Sequence, residues 1–77
     1  MNKQKYLLAK KNGLHELYRG DAISRKIGKK YSLSAQIALL MDKDKKPEEW
    51  AAYQEFRAKV KAKVDAKIAV FEQETQP

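Results

Sequence analysis

The chain has 77 residues, no cysteine and one histidine, so it is one small domain without a disulfide or the ligands of a common zinc site. Its 17 lysines and arginines outnumber its 10 acidic residues, and the net charge of +7 favours acidic partners such as nucleic acid. A chain this short buries a thin core, worth only about 3–5 kcal/mol, which leaves helix packing and oligomerisation as its means of stabilisation.

The N-terminal residues predict neither a signal peptide nor a membrane anchor. They are polar and basic, and the apolar run that follows covers only residues 6–9. Such a run is too short for a signal peptide or a membrane span. The absence of cysteine also fits a reducing compartment. We therefore expect a soluble, intracellular protein with no membrane partner.

One or two short helices are predicted before residue 31. Residues 3–11 suit a helix that Asn12 and Gly13 terminate, because both residues tolerate the left-handed conformation that ends helices. Asp21 is the expected N-cap of the next segment. That segment places apolar side chains at the i, i+4 and i+8 positions of a helix, namely Ile23, Ile27 and Tyr31.

The next apolar pattern predicts a helix over residues 33–41. Its apolar positions follow the spacing i, i+4, i+7, i+8 and are Leu33, Ile37, Leu40 and Met41. One kinked helix over residues 21–43 and two abutting helices both satisfy the pattern. We prefer a break near residues 31–32, because Ser32 or Ser34 can cap a new helix.

The longest predicted element is an amphipathic helix over residues 47–71. Pro47 suits the first helical position, where no intrahelical donor is needed, and Glu48 and Glu49 oppose the positive end of the helix dipole. The apolar side chains recur at steps of three or four residues and form one stripe: Trp50, Tyr53, Phe56, Val60, Val64, Ile68 and Phe71.

These elements predict an all-α fold, a small helical bundle in a single domain over residues 1–77. The short polar connector before Pro47 implies that residues 33–43 and 47–71 fold back as an antiparallel helical hairpin. The short N-terminal helices would cover this hairpin. Residues 1–5 and 72–77 are expected to fray, because the segments at both ends are polar.

The sequence contains no signature of an enzyme, a cofactor site or a metal site. His15 has no serine, cysteine or second histidine arranged with it as a catalytic triad requires. Asp42 and Asp44 lack the spacing of a calcium loop, because Pro47 stands where the turn glycine belongs and Tyr53 where the final glutamate belongs. We therefore predict no catalytic residues, no cofactor and no metal.

Two sets of residues are candidates for packing or binding. The first set lies on the long helix and either forms the core, the preferred interpretation, or anchors a protein partner: Trp50, Tyr53, Phe56, Val60 and Val64. The second set could contact phosphates without sequence specificity: Lys29, Lys30, Lys59, Lys61 and Lys63. A helix-turn-helix around Gly28 is disfavoured, since the helix that would read the DNA groove is almost uncharged.

Short motifs between about residues 21 and 65 carry a resemblance to a known group of proteins. They are Tyr-Ser at 31–32, Ala-Leu-Leu at 38–40, and Lys-Pro-Glu-Glu at 46–49, followed by a helix containing tyrosine and lysine. In these motifs the chain resembles small helical proteins encoded by phages and prophages of Gram-positive bacteria. The resemblance implies a phage context, with residence in the bacterial cytoplasm or the virion, and it transfers no functional residue.

The function predicted from these observations is a non-enzymatic protein-interaction module that serves as a phage accessory or assembly protein. The thin core favours a homo-oligomer formed through the long helix, so the partner is a protein or a second copy of the chain. One alternative is a basic nucleic-acid-binding protein that contacts phosphates non-specifically. A second alternative is a phage-encoded inhibitor of a host protein.

Overall fold

The computed structural model describes residues 1–74, which form four α-helices and no strand. The helices are α1 (Lys3–Lys11), α2 (His15–Lys30), α3 (Leu33–Met41) and α4 (Pro47–Glu74). The predicted all-α class is confirmed. The predicted break near residue 31 is also present, because Tyr31 and Ser32 separate α2 from α3.

Local signals in the sequence fix both ends of α1 and the start of α3. The Oδ1 atom of Asn2 accepts a hydrogen bond from the backbone N–H of Lys5, at 3.1 Å, and caps α1. At the other end of α1, Gly13 has a φ of +73°, a left-handed conformation that glycine adopts without steric cost. Ser32 caps α3, with its Oγ 3.1 Å from the backbone nitrogen of Ala35.

Helix α2 is longer than the sequence predicted. Asp21, the expected N-cap, lies inside the helix and pairs with Arg25 one turn later, with 2.8 Å between Oδ2 and Nε. The prediction of an N-cap at Asp21 was therefore wrong. A glycine inside a helix costs about 1 kcal/mol. Burial of Ile23 and Ile27 on the same helix offsets that cost at Gly20 and again at Gly28.

The core lies between α2 and α4, which run antiparallel. Arg19, near the start of α2, pairs with Asp65 late in α4, and Tyr31 at the end of α2 stacks on Tyr53 early in α4. The buried residues of this interface form one cluster: Ile23, Ile27, Tyr53, Val60 and Val64. The molecule is consequently a rod, with extents of 52 × 18 × 17 Å.

Helix α1 fastens the beginning of the chain to the end of α4. Tyr6 is 3% exposed, and its ring lies 6.2 Å from that of Tyr18 and 5.9 Å from that of Phe71. Its hydroxyl donates to Oε1 of Glu72 at 2.5 Å, and Lys10 pairs with the same carboxylate. Helix α4 therefore extends through residues 72–74 of the segment 72–77 that was predicted to fray. Residues 75–77 of that segment lie outside the described residues.

This attachment predicts a loss of stability in acid. Hydrogen bonds from Lys10 and Tyr6 hold the pKa of Glu72 below its ordinary value of 4.5, while the bond to Glu72 and burial raise the pKa of Tyr6 to about 12. Because the carboxyl pKa is lower in the folded state, its contribution is fully present above pH 4.5 and is lost as the pH falls through the lower, folded pKa. Thermal melting between about pH 2 and pH 7 measures this loss.

The control for the acid effect is Glu72→Gln, which removes the titrating group. We expect this variant to be less stable than the parent at neutral pH and to lose less stability on acidification. An identical acid dependence of the melting temperature in both proteins would show that Glu72 is not responsible.

Candidate functional site

The aromatic and aliphatic residues predicted as core or partner contacts lie against α2. Tyr53, Val60 and Val64 are buried, and Val64 is completely inaccessible. Trp50 and Phe56 are half-buried and pack against the same cluster. These side chains therefore contribute to packing, and the apolar stripe of α4 is largely occupied by α2.

Helix α3 is attached to this core by Leu39, which packs against the buried cluster, and by its one long polar side chain, Gln36. The hydroxyl of Tyr53 donates to Oε1 of Gln36 at 2.6 Å, and Nε2 of Gln36 donates to the carbonyl oxygen of Tyr31 at 3.0 Å. Both ends of the Gln36 amide are thus satisfied. The two bonds fix the rotation of α3 about its axis, with Gln36 turned towards α4.

This rotation leaves the apolar side chains of α3 facing solvent. None of its nine residues is buried and none is charged. The exposed fractions are 73% for Leu33, 50% for Ile37, 54% for Leu40 and 79% for Met41. We call these four side chains the α3 apolar face. Large side chains of this kind normally lie in a core, so their exposure in one group makes this face a candidate binding surface.

Two clefts flank α3 where it meets α4. One has a volume of about 250 Å³ and is lined by Gln36, Ile37, Leu40, Trp50, Tyr53 and Arg57. The other has a volume of about 300 Å³ and is lined mainly by Tyr31, Ala35, Ala38, Leu39, Lys46 and Glu49. Helix α3 is consequently a ridge between two clefts.

The five lysines predicted to contact phosphates have different surroundings. Lys29 lines a groove between α1 and α2, whereas the ammonium of Lys30 lies 4.7 Å from the ring centre of Phe56. Lys59 pairs with Glu55 at 3.4 Å. Lys61 and Lys63 are exposed on α4. Of these five lysines, Lys29 lines the groove and none lines either cleft beside α3, so the structure does not gather them into one site.

The single histidine and the acidic side chains are the remaining candidates for chemistry. His15 is the first residue of α2, and its Nδ1 is shielded from solvent with no hydrogen-bond partner in residues 1–74. Over the same residues, no group of three or more histidine, cysteine or acidic side chains could hold a metal ion. None of the four helices is long and apolar enough to cross a membrane in the part of the chain described.

Comparisons with models of protein families, with curated proteins and with solved structures find no match to this chain. The candidate sites are therefore defined by their own geometry: an uncharged apolar ridge at α3 and a basic groove between α1 and α2.

Proposed function

We propose that this chain is a non-enzymatic protein-interaction module that self-associates through the α3 apolar face, as a phage accessory or assembly protein. The observation that carries the proposal is the orientation of α3, with its polar Gln36 turned inward and four large apolar side chains turned outward. In this proposal α3 and α4 act together as the antiparallel hairpin of residues 33–43 and 47–71, which presents the face to a partner.

Burial of the α3 apolar face supplies the free energy for association. Fully burying a leucine, isoleucine or methionine side chain contributes roughly 1.5–3 kcal/mol. The four side chains are between half and four-fifths exposed, so covering them on one chain contributes about 4–8 kcal/mol. A symmetric contact covers the same face on both chains and so doubles this free energy of burial. The entropy cost of association is then subtracted from the doubled value.

The charges of the chain do not oppose a second copy at this face. Two chains of net charge +7 repel each other wherever their lysines meet, but α3 brings no charge to the contact. The rim of one flanking cleft carries both signs, with Lys46 and Glu49 4.0 Å apart, and mixed rims can pair with their own copy. In a two-fold symmetric dimer, α3 of each chain can pack into a cleft beside α3 of the other chain.

Sedimentation equilibrium over a range of concentrations tests the proposal. We expect the parent protein to form a dimer and Leu33→Glu to remain monomeric, because each chain would then bury a carboxylate against apolar side chains. A penalty of about 3 kcal/mol or more corresponds to at least a hundredfold weaker dimer. Glutamate is well tolerated in the first turn of a helix, so α3 itself should persist.

Leu17→Glu is the matched control. Leu17 is 72% exposed, almost the same as Leu33, and it also lies in the first turn of its helix, but that helix is α2. The control should dimerise like the parent, and circular dichroism should show that both variants are folded. A parent protein that is monomeric at every concentration contradicts the proposal, as does equal disruption by the two substitutions.

A further inference from the structure

A basic groove lies between the beginning of α1 and one side of α2. Its volume is about 680 Å³. The charged and aromatic side chains that line the groove are Lys5, Tyr18, Asp21, Arg25, Lys26 and Lys29. Lys5 comes from α1 and the other five residues come from α2. The groove is thus built by two helices that meet because the chain reverses at Gly13.

The positive charge of this groove is largely uncompensated. Asp21 is its only carboxylate, and it pairs with Arg25. Lys5, Lys26 and Lys29 make no ion pair with a carboxylate of residues 1–74, which leaves an excess of three positive charges. A cleft lined by one sign of charge focuses the electrostatic field and attracts ions of the opposite sign.

Three other cations of α1 and α2 are neutralised by the end of α4. The ion pairs are Lys3 with Glu74, Lys10 with Glu72, and Arg19 with Asp65. The pairing with Arg19 also holds the pKa of the Asp65 carboxyl below its ordinary value, so this acid stays ionised. These pairs fasten α1 and α2 to α4, whereas the lysines of the groove keep their charge without an acidic partner.

We infer that this groove binds the phosphodiester backbone of a nucleic acid. From Tyr18 to Lys29, α2 rises about 16 Å at roughly 1.5 Å per residue. One strand of a DNA duplex carries a phosphate every 3.4 Å or so along its axis, so the groove covers about five phosphates. Three lysines without an acidic partner line the groove, together with Arg25, so it can neutralise about three of these phosphates.

The contact is with phosphates and not with base edges. Three lysines and an arginine line the groove, and phosphates are the usual partners of these side chains in protein–nucleic acid complexes. The side chain of Asn2, which could read a base, is engaged in capping α1. Binding is therefore independent of sequence and strongly dependent on salt.

A nucleic acid fits this groove better than an anionic membrane. Peripheral membrane binding combines basic residues with large apolar side chains that enter the lipid. The exposed large apolar side chains of residues 1–74 include none that line the groove. The α3 apolar face is separate from the groove, so the two sites can act independently.

Fluorescence anisotropy of a labelled DNA duplex of about two helical turns, titrated between roughly 50 and 200 mM salt, tests this inference. With three phosphates neutralised by the unpaired lysines, the logarithm of the binding constant should fall with the logarithm of the salt concentration with a slope of about −2.7. The variant K26Q/K29Q should bind about tenfold more weakly at the lower salt and reduce the slope by about 2.

The matched control is K61Q/K63Q, which lowers the net charge by the same two units on α4. It should bind like the parent, because the lost charges lie outside the groove. Equal losses in the two variants would overturn the inference and assign the binding to net charge alone. Absence of salt-dependent binding, or tighter binding to vesicles containing phosphatidylserine than to DNA, would also overturn it. The titration is repeated with Leu33→Glu, which should remain monomeric. If it binds DNA like the parent, the groove binds independently of self-association.

Discussion

Replacing Tyr53 with alanine should unfold most of this protein at room temperature. Tyr53 is 5% exposed, and its ring meets that of Tyr31 edge-on at 5.0 Å and that of Trp50 at 5.6 Å. Truncating a buried aromatic side chain costs about 3–5 kcal/mol. That loss equals the whole stability expected of a chain of this size, about 3–5 kcal/mol. Urea denaturation followed by far-ultraviolet circular dichroism measures the change.

Tyr53→Phe is the control for this substitution. It keeps the ring contacts and removes only the hydrogen bond from the hydroxyl to Gln36. A typical hydrogen bond contributes about 0.5–1.5 kcal/mol, so this variant should stay folded with a lower denaturation midpoint. If Tyr53→Ala lost no more stability than Tyr53→Phe, the ring would not be part of the core.

Helix ends were predictable from the sequence because they depend on local chemistry. Asn12 and Gly13 end α1 as predicted, since a left-handed residue closes the helix whatever packs around it. Ser32 caps α3, and Pro47 begins α4. Each of these signals acts within one turn of the backbone, so no tertiary contact is needed to interpret it.

Helix α2 was harder to predict because packing outweighs local preference there. Gly20 and Asp21 resemble a stop followed by a new N-cap. The helix continues through both residues because Ile23 and Ile27 can then enter the core on one continuous stripe. Apolar periodicity likewise identified the stripe of α4, but it could not show that α2 would cover most of it.

The two candidate sites required the tertiary structure for a similar reason. The apolar pattern of α3 is typical of a helix that faces a core, but Gln36 bonds to the core while four large apolar side chains stay at least half exposed. The groove joins Lys5 of α1 to Lys26 of α2, which the sequence separates by 21 residues. The sequence shows closely spaced cations on α2, but it does not show that Lys5 of α1 lies beside them.

The second large effect is expected from Tyr6→Ala, which should detach α1 from the rest of the molecule. Tyr6 is the buried residue of α1, and its ring and hydroxyl contact both α2 and the end of α4. The substitution should cost about 3 kcal/mol or more through lost aromatic burial. Helix α1 lies outside the core cluster of α2 and α4, so we expect local undocking while those two helices stay paired.

Hydrogen exchange resolved by residue distinguishes local undocking from global unfolding. In Tyr6→Ala, the amides of α1 should lose protection by several orders of magnitude, while those around Val60 and Val64 lose much less. Tyr6→Phe, which keeps the ring and loses the bond to Glu72, should retain most of the protection in α1. Because α1 supplies Lys5 to the basic groove, its undocking should also weaken DNA binding and lower the salt dependence by about one phosphate contact. Unchanged exchange in α1 would mean that the ion pairs of Lys3 and Lys10 hold the helix without Tyr6.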